Sequence, residues 1–366
     1  GTAYNPFLYT SRSGRRYVWR NHNLLATLYG QLDLPYGFEY EARWTNEYDF
    51  QKDYLYNPST TPFGAPAGNA EREEYTGHIW QVDNILKWSD VIGGMHAFDA
   101  TFLYNVEVNN SWSTSASNRQ FPIEALGYSG LPFGGGPTVA SYDSRSTGNA
   151  LMGRLNYRLL DRYLLTVSYR RDGYSAFGGR HPYAYFPSAA VAWRISEEPF
   201  FGVDPISNLK LRLSWGKNGN RSIGTYSALQ RMTMTKYIYD KETVTGIGSS
   251  NLPNADLRWE STTQYNAGVD MGLLSDRITG SINTYYMSTT NLLLQRSLPD
   301  LTGYSSIWSN LGEVVNRGLE ISLNSANIQQ EEFQWSSGLT FSMNRNEIKA
   351  LYGTGEDDRQ SGWFIG

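Results

Sequence analysis

The chain has 366 residues with 36 Gly, 27 Tyr, 11 Trp and no Cys, a formal net charge of −4, and 18% charged against 14% aromatic residues. An ordinary soluble domain carries about 25% charged residues, so aromatic side chains take part of their place here. No stretch approaches the ~18 consecutive apolar residues of a membrane-spanning helix, the lack of Cys excludes disulfides, thiolate zinc sites and thiol catalysis, and the mildly acidic balance argues against nucleic acid as a partner.

Along the chain the dominant pattern is alternation with period two, which sends successive side chains to opposite faces of a strand. Residues 1–13 are expected to be the tail of a long loop. Twelve strands are then expected at about 21–33, 37–50, 76–90, 95–109, 148–160, 162–172, 184–196, 208–217, 261–272, 277–288, 315–327 and 333–345. In the fourth, Phe98, Ala100, Phe102 and Tyr104 share one face and Asp99, Thr101 and Asn105 the other. In the sixth, Tyr163, Leu165, Val167 and Tyr169 stand against Leu164, Thr166, Ser168 and Arg170. In the eighth, Leu209, Leu211, Leu213 and Trp215 stand against Lys210, Arg212 and Ser214.

The connections alternate. Short ones fall at 33–36, 90–94, 160–161, 273–276 and 328–332, with 196–207 somewhat longer. Long ones, rich in Gly, Ser, Asn, Pro and aromatics, fall at 51–75, 110–147, 173–183, 218–260, 289–314 and beyond 346. Strand, short turn, strand, long loop is the plan of an all-β, antiparallel, up-and-down transmembrane barrel with its long loops at one end. The strands have the ~9–11 residues that a tilted membrane strand needs. Aromatics near their ends (Tyr163, Tyr169, Trp193, Trp215, Tyr265, Tyr285, Tyr286, Trp335) suit girdles at the two interfaces. A soluble β-sandwich would also alternate, but with shorter strands and no alternation of loop length. Neither end of the chain looks like a sealing strand, so the expectation is about twelve strands of a larger barrel, with all of 1–366 in one barrel domain.

Six colinear blocks then carry a resemblance. Residues 161–165 (DRYLL) and 170–178 (RRDGYSAFG) form the first, 186–198 (FPSAAVAWRISEE) the second, and 209–212 (LKLR) with 216–220 (GKNGN) the third. Residues 251–266 (NLPNADLRWESTTQYN) form the fourth, 291–294 with 298–304 (LPDLTGY) the fifth, and 310–320 (NLGEVVNRGLE) the sixth. Together they resemble the SusC/RagA family of TonB-dependent outer-membrane transporters of Bacteroidetes. The resemblance covers about residues 145–366 and is weaker over 15–110. It implies a barrel of 22 strands with a plug in its lumen; plug, TonB box and final strands are expected to lie outside this sequence. It also implies energised import of glycans or oligopeptides across the outer membrane. A SusD-like surface lipoprotein would serve as lid, the TonB–ExbB–ExbD complex as energy source and outer-membrane lipid as surroundings, in an arrangement that extends to a dimer of SusC–SusD pairs. A siderophore- or vitamin-type TonB-dependent receptor, a passive porin-like channel and a secreted polysaccharide-binding protein stay open as alternatives.

Candidate ligand-binding residues are the loop aromatics Trp112, Phe133, Tyr142, Tyr174, Tyr183, Tyr185 and Tyr226 with Arg145. Flat faces interleaved with amides and guanidinium suit sugar rings and peptides. Arg154, Arg158, Arg170, Arg194 and Arg212 fall on polar strand faces and are expected to face lumen or plug, because Arg toward lipid costs ~2–4 kcal/mol at the midplane. Pro187 and Ser188 are expected to start a strand, where Pro is tolerated. Nothing points to catalysis, and no metal or cofactor is expected. The histidines are scattered without ligand spacing, there is no nucleophile elbow, and the carboxylates at Glu71, Glu73, Glu74 and at Glu356, Asp357, Asp358 are expected in loops without calcium-loop spacing.

Overall fold

The structure, a computed structural model, describes Phe7 and residues 14–352, 355–359 and 362–366. The expected loop tail at 1–13 lies outside the described residues except for Phe7. Sixteen strands follow in chain order among the described residues: β1 (Arg16–Leu34), β2 (Phe38–Asn57), β3 (Asn69–Ile92), β4 (His96–Arg119), β5 (Thr138–Leu159), β6 (Tyr163–Tyr174), β7 (Tyr183–Arg194), β8 (Ile206–Asn220), β9 (Met232–Tyr239), β10 (Glu242–Ser249), β11 (Glu260–Leu273), β12 (Ile278–Thr290), β13 (Leu293–Ser297), β14 (Ser306–Asn310), β15 (Glu313–Gln329) and β16 (Gln334–Ala350). Twelve form one sheet in the order β1-β2-β3-β4-β5-β6-β7-β8-β11-β12-β15-β16, and β9-β10 and β13-β14 are separate two-stranded hairpins. All twelve expected strands are present, each beside its chain neighbour once the hairpins are set aside.

The short turns follow from their backbone. Leu160 and Asp161 between β5 and β6 have φ 53° and 55°, and Gly93 and Gly94 between β3 and β4 have φ 60° and 66°. Paired positive φ gives the primed turn whose twist matches antiparallel strands.

Three expectations need correction. The segments 51–75 and 110–147 are strand over much of their length, because β2 to β5 run 20 to 24 residues. Their outer portions lack an apolar face, so the backbone ladder continues where the hydropathy signal stops. Glu71, Glu73 and Glu74 accordingly lie in β3 and not in a loop; Glu74 accepts a hydrogen bond from Tyr54 and lies 3.7 Å from Lys52. Pro187 lies inside β7, four residues past its start. It is paired to Tyr169 of β6, but the ladder from β7 to β8 opens at Ser188↔Gly216. The ring that cannot donate thus sits one residue before the second ladder begins.

The sheet has one apolar and one polar face, and the apolar face is bare. In register across β6 to β12, Leu165↔Val191↔Leu213↔Ala267↔Thr284 and Val167↔Ala189↔Trp215↔Tyr265↔Tyr286 share it. Leu165, Val167, Val191, Leu213, Tyr265 and Tyr286 are all exposed, as are Trp335, Leu339, Phe341 and Met343 of β16. An apolar face that stays exposed across successive strands in this way marks contact with another apolar phase.

By internal contacts the chain divides into two units, 1–30 with 42–83 and 106–147, and 31–41 with 84–105 and 148–366. Each has a small buried cluster. In the first, Tyr56, Ala70 and Phe121 pack with Tyr128 and Leu131, and Tyr56 Oη donates to Glu124 Oε2 at 3.0 Å. In the second, Phe177, Ala228, Leu257 and Trp259 pack with Tyr174, Phe186, Leu293 and Trp308.

Candidate functional site

The polar face of β8, β11, β12 and β15 carries a built network. Arg212↔Gly268↔Asn283↔Glu320 are in register on four successive strands. Gly268 leaves room for the guanidinium to cross β11: a Cβ there would lie 2.5 Å from Asn283 Oδ1 and 3.0 Å from Arg212 Nη2. Arg212 donates through Nε and Nη2 to Asp270 at 2.8 and 2.6 Å, and through Nη2 to Asn283 Oδ1 at 2.8 Å. Beside it, Gln264 donates to Asn266 at 2.7 Å and Asn266 to Ser214 at 3.1 Å. Arg212, Gln264, Asn266, Asn283, Asn316 and Glu320 line a groove of about 620 Å³. Amides that satisfy one another in this way still present donors and acceptors to whatever fills the groove. Among the described residues no group of three or more His, Asp or Glu could hold a metal ion.

At the loop end, the blocks noted in the sequence meet. Leu257 is completely buried beside Phe177 and Trp259, whose ring centroids are 5.1 Å apart. Gly178 N donates to Leu257 O at 3.3 Å, and Arg180 meets Asp256 at 3.0 Å. Asn310 accepts from Arg258 N at 2.8 Å and donates to the carbonyls of Arg258 and Asn291. Asn254 Nδ2 donates to Trp308 O at 2.8 Å. Three connections, 175–182, 221–259 and 291–312, are thereby tied into one body.

At the turn end, Arg162 and Tyr163 of one block meet Trp193 and Glu198 of another. Trp193 Nε1 donates to Glu198 Oε1 at 2.9 Å, Arg162 Nη1 lies 3.6 Å from Glu198 Oε2, and the rings of Tyr163 and Trp193 stack at 6.4 Å. Hydrogen bonds from Tyr163 and then Trp193 hold the Glu198 carboxyl below the usual carboxylate range against the opposing effect of burial, with Arg162 assisting.

The sequence-predicted site residues are not gathered in one place. Trp112 lies in β4, Tyr142 and Arg145 in β5, and Phe133 ends the 3-10 segment Glu124–Phe133. Tyr226 sits in the connection after β8 with φ 64°. Trp112, Phe133 and Tyr142 are exposed. Tyr174 packs edge-on against Phe177 and Trp259 under Arg221 and serves the loop-end cluster. Tyr183 and Tyr185 stand on the apolar face, Tyr183 under Arg171 and Tyr185 beside Tyr169. Of the arginines, Arg170 chelates Asp172 at 2.7 to 3.0 Å, Arg158 pairs with Asp161 at 2.9 Å, and Arg154 donates to Asn156 at 3.2 Å. These three, with Arg194 and Arg212, alternate with the exposed apolar residues and so lie on the polar face. Sequence reading missed Gln264, Asn266, Asn316, Glu320 and Asn344. The period-two pattern held the signal, but a list built on cations and aromatics passes over amides and the lone carboxylate of Glu320. Tyr285, grouped with the girdle, turns to the polar face, where it donates to Asn344 at 3.1 Å.

A sheet of long strands in up-and-down order, bare and apolar on one face and networked on the other, defines the wall of an outer-membrane β-barrel. A family model described as "TonB dependent receptor-like, beta-barrel" matches residues 1–362, and the chain belongs to that family. It is 30% identical over 330 residues to TonB-dependent receptor P3 of Formosa agariphila, covering 89% of this chain and 33% of that protein. It is 38% identical over 224 residues to TonB-dependent receptor SusC of Bacteroides thetaiotaomicron, covering 60% of this chain and 22% of that protein. Among solved structures, that of the RagAB peptide transporter superposes with a TM-score of 0.88 at 22% identity, covering 99% of this chain and 40% of that one. The chain thus spans about a third or less of the curated relatives it matches. The resemblance, the all-β fold and the outer-membrane location expected from the sequence agree with these findings. The apolar face is the one that meets lipid.

Proposed function

We propose that residues 1–366 are part of the single barrel domain of a SusC-like importer. It carries a glycan or an oligopeptide across the outer membrane, with a SusD-like surface lipoprotein as lid and TonB–ExbB–ExbD as the energy source. The observation that carries this reading is the 38% identity to SusC over 224 residues. The peptide transporter RagAB supports the fold. In this reading the role is transport and not catalysis. Arg154, Arg158, Arg170, Arg194 and Arg212 face plug or lumen, and the amide groove beside Arg212 packs against the plug. Trp112, Phe133, Tyr142, Arg145 and Tyr226 form ligand contacts on the external side. The β9–β10 hairpin, with Met234, Ile238 and Ile247 exposed by more than 70%, supports a docking contact for the lid.

The test is extraction of the tagged whole protein from its native outer membrane. A stoichiometric surface lipoprotein should co-purify, and planar bilayers should show little ion conductance. High steady conductance with no lipoprotein would favour a passive channel. A protein stripped from membranes by alkaline carbonate would refute the barrel altogether. Uptake of labelled oligosaccharides against labelled oligopeptides, with and without the gene, decides the substrate class.

A further inference from the structure

On the lipid-facing side of β7, β8 and β11, at their loop end, lies a pocket of about 260 Å³ that the transport reading does not use. It is lined by His181, Tyr183, Lys217, Arg258, Ser261 and Asn291 among others, and no carboxylate lines it among the described residues. Lys217 is opposite Thr263 in the β8–β11 register, on the same face as Trp215 and Tyr265. Ser261 is one diagonal position further along β11, about 7–8 Å away, within reach of a lysine side chain. Ser261 is 9% exposed, and its Oγ is fully buried without a hydrogen-bond partner. Next to it, Arg171 stacks on Tyr183 at 4.9 Å, and its Nε is likewise buried without a partner. Buried donors left open in this way destabilise the fold unless something binds them.

The height of this pocket in the membrane follows from the strand. Trp193, in the turn-end ring, and Tyr183 are ten residues apart on β7. At ~3.3 Å per residue and a tilt of ~35–45°, ten residues rise about 25 Å, the full apolar band. A pocket beginning at Tyr183 therefore sits at the headgroup level of the outer leaflet. We infer that this pocket binds the phosphate of an outer-leaflet lipid, held by Lys217, Arg258 and the Ser261 hydroxyl, with Tyr183 and Tyr185 packing on the glycan or glycerol moiety below it. The site shares no lining residue with the groove beside Arg212 and does not depend on the substrate.

The test uses the whole protein in phosphate-free maltoside detergent, with native mass spectrometry reading retained lipid. The probes are phosphatidic acid, diacylglycerol with the same acyl chains, and inorganic phosphate alone. Phosphatidic acid should be retained at least ten-fold better than diacylglycerol. K217Q/R258Q should remove that preference, at about ten-fold for each charge-assisted bond lost, and S261A should weaken it. K241Q, at the tip of the β9–β10 hairpin, should leave it unchanged. A folded K217Q/R258Q variant, judged by heat-modifiable mobility, that keeps the preference would overturn the inference. Inorganic phosphate bound as tightly as phosphatidic acid, and lost in the same variant, would uphold the anion site but reassign its source to a soluble ion. Equal retention of both lipids by the wild type would overturn it.

Discussion

Leu257→Ala tests whether the loop-end cluster holds the external connections. The side chain is 0% exposed and packs among Phe177, Trp259 and Ala228, with Tyr174, Leu293 and Trp308 around them. Buried Leu→Ala changes cost 2–5 kcal/mol, the upper part coming from cavities that cannot collapse. This cluster is bordered by loops and not by strands on all sides, so partial collapse places the cost at about 3 kcal/mol. At ~1.4 kcal/mol per decade that is about a hundred-fold in the opening equilibrium. Hydrogen–deuterium exchange of the detergent-solubilised protein should show about that acceleration in peptides from 175–182, 221–259 and 291–312, with β11 and β12 unchanged. Leu257→Met, which conserves volume, should cost under about 1.5 kcal/mol. Unaltered protection in all three connections would refute the clamp. Acceleration spread through the whole sheet would show that the cluster belongs to global stability and is not a local tie.

Four further outcomes are expected. Gly178→Ala should destabilise the loop end by about 1–3 kcal/mol, since the new Cβ meets the immobile Ala255 carbonyl, whereas Gly268→Ala displaces only side-chain ends and should cost less; thermal unfolding of both variants decides the order. A double-mutant cycle of Asp270→Asn and Arg212→Met should give a coupling of about 1 kcal/mol, modest because both side chains are about a third exposed. Glu198 titrates lower in the folded protein than its ordinary 4.5, so its contribution is complete above that value and is lost as pH falls through the depressed folded value; the Tm difference between wild type and Glu198→Gln should shrink on acidification. Leu160→Gly should raise Tm slightly, because a leucine at φ 53° in a primed turn carries about 1 kcal/mol of backbone strain.

What the sequence shows and hides follows from which forces leave a periodic trace. A lipid-facing strand must alternate, so β6, β7, β8, β11 and β12 were legible to within a few residues. Beyond about Asn110 the hydropathy pattern of β4 stops while its pairing in the sheet persists; residues such as Ser111, whose Oγ bonds Ser144 at 2.7 Å, then look like loop. The β9–β10 hairpin was hidden for a related reason. Its alternation, Met232, Met234 and Lys236 against Thr233, Thr235 and Tyr237, is short and lies within a long connection rich in Gly, Ser and Asn. The candidate site was less legible than the wall. Choosing single aromatics and arginines assumes that function is carried one residue at a time, whereas Arg212 reaches Asn283 only because Gly268 on the strand between has no side chain. That dependence is a three-strand register, and no local pattern in the chain encodes it. The motifs that carried the resemblance also turned out to be ties between distant segments: 170–178 to 251–260 at the loop end, and 161–165 to 186–198 at the turn end.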